Sequence, residues 1–163
     1  MSFSAERLAG RIAALGRIGA LPGGGVCRLA LTDADAAGRA WLVAEMEALG
    51  LEVAVDAMGT IFGPRAAGPG PDPAAPHVMT GSHIDTVATG GLYDGALGVL
   101  AGLEVVAALN DEGAATALPV TVAAFTNEEG ARFAPDMLGS LVFAGGMEVA
   151  AAHDLRGIDG ARL

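Results

Sequence analysis

This 163-residue sequence has one cysteine, nine basic residues and only 4% aromatics, and each scarcity excludes something. The lone Cys27 can form no intrachain disulfide and belongs to no zinc-finger spacing, which fits a reducing compartment. Nine Lys and Arg face nineteen Asp and Glu, giving a net charge of -10 and a pI near 4.5. Without clustered cations there is no surface to neutralise phosphates, so nucleic acid is not an expected partner. With few aromatics among 52% hydrophobic residues, the core must be built from many small side chains in close packing. Long hydrophobic runs are also lacking. Glu6, Arg7 and Arg11 interrupt the amino-terminal stretch where a signal peptide would be apolar. The most apolar later stretch, 96 to 109, contains Glu104 and is too short to span a bilayer. A cytoplasmic protein with no membrane partner is the expectation.

The length and apolar content suit one domain with its own core. Residues 4 to 16 place Leu8, Ile12 and Leu15 on one helical face, and Pro22 with three glycines then breaks the helix. A second helix is predicted after Thr32, whose hydroxyl can cap it, with Asp33 and Asp35 favoured in its first turn and Gly50 as its stop. LEVAVDAMGTIFG alternates and turns at Met58 and Gly59, the pattern of a hairpin or of two consecutive strands. From Pro64 to Pro76 the proline and glycine content predicts an extended connector. Beyond it come a strand from His77 to Gly81, a glycine-rich loop, a helix from about Gly95 to Asn110 and a strand from Leu118 to Phe125. Residues 137 to 163 read as a short helix followed by irregular chain.

A strand, helix, strand succession of this kind is a βαβ unit, whose strands run parallel with their carboxyl ends on one sheet edge. Ligand sites in open α/β sheets lie off that edge. GSHIDT at 81 to 86, YDGALG at 93 to 98 and TNEEGARF at 126 to 133 would therefore bring His83, Asp94, Glu128 and Glu129 to one crevice. His83 can be a metal ligand oriented by the Asp85 carboxylate two residues on, or the two can cap a loop. Asp94 can bridge two cations or cap the helix it precedes. Glu128 and Glu129 project in different directions, so one can bind metal while the other handles the proton of an attacking water; a solvated acidic loop is the plainer alternative. His77 and His153 lie in no convincing ligand setting.

GSHIDTVATGGLYDGALGVLAGLEVV followed by FTNEEGARFAPDMLGSLVFAG resembles the binuclear metallohydrolases of the aminoacylase and carboxypeptidase superfamily. The nearest likeness is to its amidase branch, the N-carbamoyl-L-amino-acid hydrolases, allantoate amidohydrolases and β-ureidopropionases. GGGVCRLALTDAD and LEVAVDAMGTIFG are similar to that branch as well. The resemblance implies an α/β fold of zinc-peptidase type, here as a partial catalytic domain with a mostly parallel sheet flanked by helices. It implies two divalent ions (zinc, manganese, cobalt or nickel), with His83 on one, Asp94 bridging, Glu129 on the other, Glu128 as general base and Asp85 orienting His83. A cis peptide between Asp94 and Gly95 is implied too. The implied reaction is hydrolysis of a C–N bond in a small ureido or amide substrate by a homodimeric enzyme. A peptidase or N-acyl amino-acid hydrolase of the same superfamily, or a non-catalytic remnant with a binding role, are the alternatives. The family's further histidine motifs do not occur in these residues. Residues 1–163 are thus expected to be the amino-terminal part of a catalytic domain, without the lid and dimerisation domain, and inactive alone.

Overall fold

The computed structural model describes residues 3–69 and 75–163. Helix α1, Ala5–Leu15, starts where the Ser4 side chain accepts the Arg7 amide, and α2, Asp33–Ala48, where Thr32 accepts the Asp35 amide. Each cap satisfies a donor that the first turn leaves without an intrahelical partner. Gly50 ends the second helix with a positive φ of 78°, the left-handed residue expected just beyond a helix. Strands β1, Ala54–Val55, and β2, Ile61–Arg65, form the hairpin. Its turn is held by Asp56, whose Oδ1 accepts the amides of Met58 and Thr60, both at 2.8 Å. Next come β3, Val78–His83, α3, Ala96–Asp111, and β4, Val120–Phe125. Two short helices, α4, Leu138–Phe143, and α5, Val149–His153, complete the order.

The sheet has the order β1-β2-β4-β3. Among the described residues only β3 and β4 are a parallel pair; β1 with β2 and β2 with β4 are antiparallel. The expected mostly parallel sheet is therefore corrected to a mixed one. Alternating hydrophobicity marks a strand but not its direction: the helical crossover makes β3 and β4 parallel and the tight turn makes β1 and β2 antiparallel, whereas β2 meets β4 across intervening chain. The expected connector also loses its first two residues, Pro64 and Arg65, to the end of β2, where they pair with Thr121 and Val120. Its residues 70–74 lie outside those described. Strand β3 begins one residue later than expected and continues to His83, so His83 is its last residue rather than part of the following loop.

One face of the sheet carries the main core, in which Ile12, Leu15, Leu42, Met46, Leu100 and Val122 join α1, α2, α3 and the strands. Helix α3 lies close against β3 and β4 because glycines face them: a Cβ on Gly98 would come within 2.8 Å of Ser82 Cβ. On the other face Phe62, Phe125 and Phe143 pack ring to ring at centroid distances of 5.6 to 6.3 Å. The carboxyl-terminal segment is more regular than expected. Met58, Leu138 and Ala152 form a second small core beneath α4 and α5. No helix among the described residues is long and apolar enough to cross a membrane.

Candidate metal centre

The parallel β3–α3–β4 unit delivers the three motifs to one sheet edge. His83 ends β3, Asp94 lies in the loop before α3, and Glu128 and Glu129 follow β4 after two residues. Ligand atoms of His83, Asp94 and Glu129 all lie within 4.8 Å of one another, the one such group among the described residues. Glu128 Oε2 stands 3.2 Å from His83 Nε2, and Asp94 Oδ1 3.9 Å from the same nitrogen.

The ring of His83 is buried, and its Nδ1 is 3.0 Å from the backbone oxygen of Asp85. A carbonyl can only accept, so Nδ1 carries the proton and Nε2 is the nitrogen turned to the carboxylates. A neutral ring would point a lone pair at carboxylate oxygens, an arrangement that needs a cation or a second ring proton between them. Burial pushes the Glu129 carboxyl above its usual range; His83 opposes the shift, while Asp94, Glu128 and Asp85 add to it. Such a donor set, one imidazole and several crowded carboxylates, fits a divalent cation.

Asp94 is free for this role. The cap position of α3 is Gly95, and no side chain caps the helix. Gly95 turns the chain by a positive φ of 63°, with the Ala96 amide bonded back to the Asp94 carbonyl at 2.6 Å. This γ-turn does the reversing. The expected cis peptide between Asp94 and Gly95 is not found, the cis bond among the described residues being Ala134–Pro135.

Asp85 is placed differently from expectation. Its carbonyl, not its carboxylate, receives the imidazole proton; the carboxylate is 3.8 Å from Nδ1. The chain leaves the strand at His83, and beyond a strand end the rule that i and i+2 share a face no longer holds. The carboxylate instead accepts the amide of Glu128 on Oδ1 at 3.2 Å and that of Glu129 on Oδ2 at 3.3 Å. One residue thus touches the histidine through its backbone and the glutamate pair through its side chain.

Asn127, which the sequence did not single out, shapes the loop bearing the glutamates. It takes a positive φ of 54°, and its Nδ2 donates to the carbonyl of Phe133 at 2.7 Å. Asn tolerates this left-handed region better than most residues, the sequence signal by which it could have been found. His77 lies at the opposite end of β3, its Nδ1 2.6 Å from Thr121 Oγ1, and His153 pairs through Nε2 with the Ala57 carbonyl at 2.8 Å. Neither joins the cluster.

The model of peptidase family M28 matches residues 66–156. An N-carbamoyl-L-amino-acid amidohydrolase of Rhizobium meliloti is 51% identical over 142 residues, 87% of this chain and 33% of that protein. Its counterpart in Geobacillus stearothermophilus is 44% identical over 155 residues, 94% of this chain and 37% of that protein. The crystal structure of a hydantoinase/carbamoylase family amidase from Burkholderia ambifaria superposes with a TM-score of 0.94 at 46% identity, over 98% of this chain and 39% of that one. The chain therefore spans between 33% and 39% of the length of these relatives. By the family match and these likenesses, the chain belongs to peptidase family M28, in its hydantoinase/carbamoylase amidase branch.

Proposed function

We propose that these residues form part of a binuclear metal site that hydrolyses a linear C–N bond in an N-carbamoyl amino acid or allantoate. The observation that carries this reading is the convergence of His83 Nε2 with the Asp94 and Glu129 carboxylates at one sheet edge. His83 and Glu129 would each hold one divalent ion and Asp94, exposed in its loop, would bridge the two. Such ions, when bound, polarise a carbonyl and lower the pKa of water. Glu128 is not needed as a ligand and faces the same space. It takes a proton from the attacking water as the oxygen bonds to the ureido carbon, then passes that proton to the leaving nitrogen as the C–N bond breaks. Asp85 keeps the two glutamates and the imidazole in register through its carboxylate and carbonyl bonds. The relatives named for N-carbamoyl-L-amino acids favour that substrate class. The homodimer implied by the resemblance belongs to the same proposal.

The test is hydrolysis of N-carbamoyl-L-amino acids, allantoate and N-acyl amino acids by the longest natural polypeptide containing these 163 residues, loaded with zinc or manganese. Ureido hydrolysis is expected, and Glu128→Gln should lower it by about 10²–10⁴-fold while manganese binding, read by calorimetry, persists. Full activity in Glu128→Gln would remove the base assignment. Cleavage of N-acyl substrates alone would move the chain to the peptidase alternative.

A further inference from the structure

Arg28 lies beneath the candidate centre, although it touches none of the cluster's ligands. Its side chain is buried, 2% exposed, in a short segment between α1 and α2. The Nε–H donates to the Ile84 carbonyl at 2.7 Å, and Nη1 donates to the carbonyls of Ile18 at 2.8 Å and Leu15 at 3.3 Å. Its backbone meets the same loop: the Arg28 amide donates to Thr86 Oγ1 at 2.8 Å and its carbonyl accepts the Thr86 amide at 2.9 Å. Two residues earlier, Val26 and Gly90 exchange both backbone bonds, at 3.0 and 2.9 Å. Residues 26 to 28 thus form an antiparallel splint along the loop from Ile84 to Gly90, which joins His83 to the approach to Asp94. Ile84 and Thr86, the two residues flanking Asp85, are both tied to Arg28.

A guanidinium this deep incurs a large desolvation cost, offset where its fork of donors meets backbone carbonyls. The three accepting carbonyls come from α1, from the turn after it and from the loop, so one side chain joins three pieces of backbone. Space for it exists because Gly38 stands opposite on α2, where a Cβ would lie 2.8 Å from Arg28 Cδ.

From this geometry we infer that Arg28 is a positioning residue: it fixes the Ile84–Thr86 backbone so that Asp85 can hold His83 with its carbonyl and the amides of Glu128 and Glu129 with its carboxylate. The inference rests on the metal-site reading for its ligand-binding consequence but not for its backbone consequence, and the experiment separates the two. Arg28→Met removes charge and fork, Arg28→Lys keeps the charge alone, and Leu103→Ala, a buried change on α3, serves as a control for loss of stability. Amide hydrogen exchange read residue by residue should show Glu128 and Glu129 losing protection in Arg28→Met beyond the loss in Leu103→Ala, with Arg28→Lys between. Cobalt titration should show Arg28→Met weakened by about 10–100-fold, as for other residues that orient ligands, with an altered visible spectrum, and Leu103→Ala matching the parent. Unchanged relative protection at 128 and 129 in Arg28→Met overturns the inference whether or not cobalt binds. A parent chain that binds no cobalt, with the exchange result as expected, overturns the metal site and leaves the positioning role standing.

Discussion

The imidazole of His83 lies flat against the backbone at Gly95, where an added Cβ would sit 2.4 Å from both Cε1 and Nε2. Two constraints coincide there, since the positive φ already disfavours a side chain by about 1–2 kcal/mol. Gly95→Ala should therefore lower the thermal midpoint and also push the ring off the carboxylates. The measurement is a paired one, unfolding by calorimetry and manganese affinity by titration; a variant that loses stability yet binds manganese as the parent does would show the ring unmoved. At this scale the convergence of His83, Asp94 and Glu129 was legible because metal-ligating types are few and each sat in a motif. What could not be read was which atom of Asp85 would do which task, because the turn beyond His83 decides it. Arg28 gave no signal either, since a lone Arg in GGGVCRLALT looks like any surface cation until the fold closes over it.

Helix α1 is strapped to α3 by a buried carboxylate. Glu104, with no exposed side-chain surface, accepts Arg7 Nε at 2.7 Å, Arg7 Nη2 at 2.8 Å, Arg11 Nη1 at 3.1 Å and the Ser4 amide at 2.8 Å. The Arg7 guanidinium, against the opposing effect of burial, holds the Glu104 carboxyl below its usual range. A carboxyl with a folded pKa below its unfolded one adds stability that is present above the unfolded value, about 4.3, and lost as pH falls through the folded value. Urea midpoints taken from pH 7 to pH 3 should fall steeply at the acid end. Glu104→Gln should cost about 1.5–3 kcal/mol at pH 7 and flatten that fall; parallel curves for parent and variant would mean the strap contributes nothing. Helices were the most legible elements: caps at Ser4 and Thr32 and the stop at Gly50 are local signals, and α1 and α2 stand within a residue or two of expectation. The sheet was less so, because strand direction and neighbours are set by contacts between segments distant in sequence, as in β2 against β4.

Over the whole molecule the charge is lopsided, and how it is spent bears on the centre. All nine basic residues are arginines. Four of them are committed to carboxylates elsewhere, Arg7 and Arg11 to Glu104, Arg132 to Asp159 and Arg162 to Asp154, and Arg28 is tied to backbone carbonyls. The cluster at the sheet edge therefore sits in the field of a chain carrying -10, with no arginine in ion-pair contact with Asp94, Glu128 or Glu129 among the described residues. Such a field raises the local concentration of cations, and salt screens it: the screening length shrinks from about 30 Å at 0.01 M to about 8 Å at 0.15 M. Manganese affinity, measured by calorimetry in a non-coordinating salt, should thus fall by about tenfold across that range. Asp94→Asn should weaken binding at every salt concentration yet keep nearly the same slope, because it removes one contact and one charge out of many. An affinity insensitive to salt in the parent would place all of the attraction in the ligands themselves and none in the acidic chain around them.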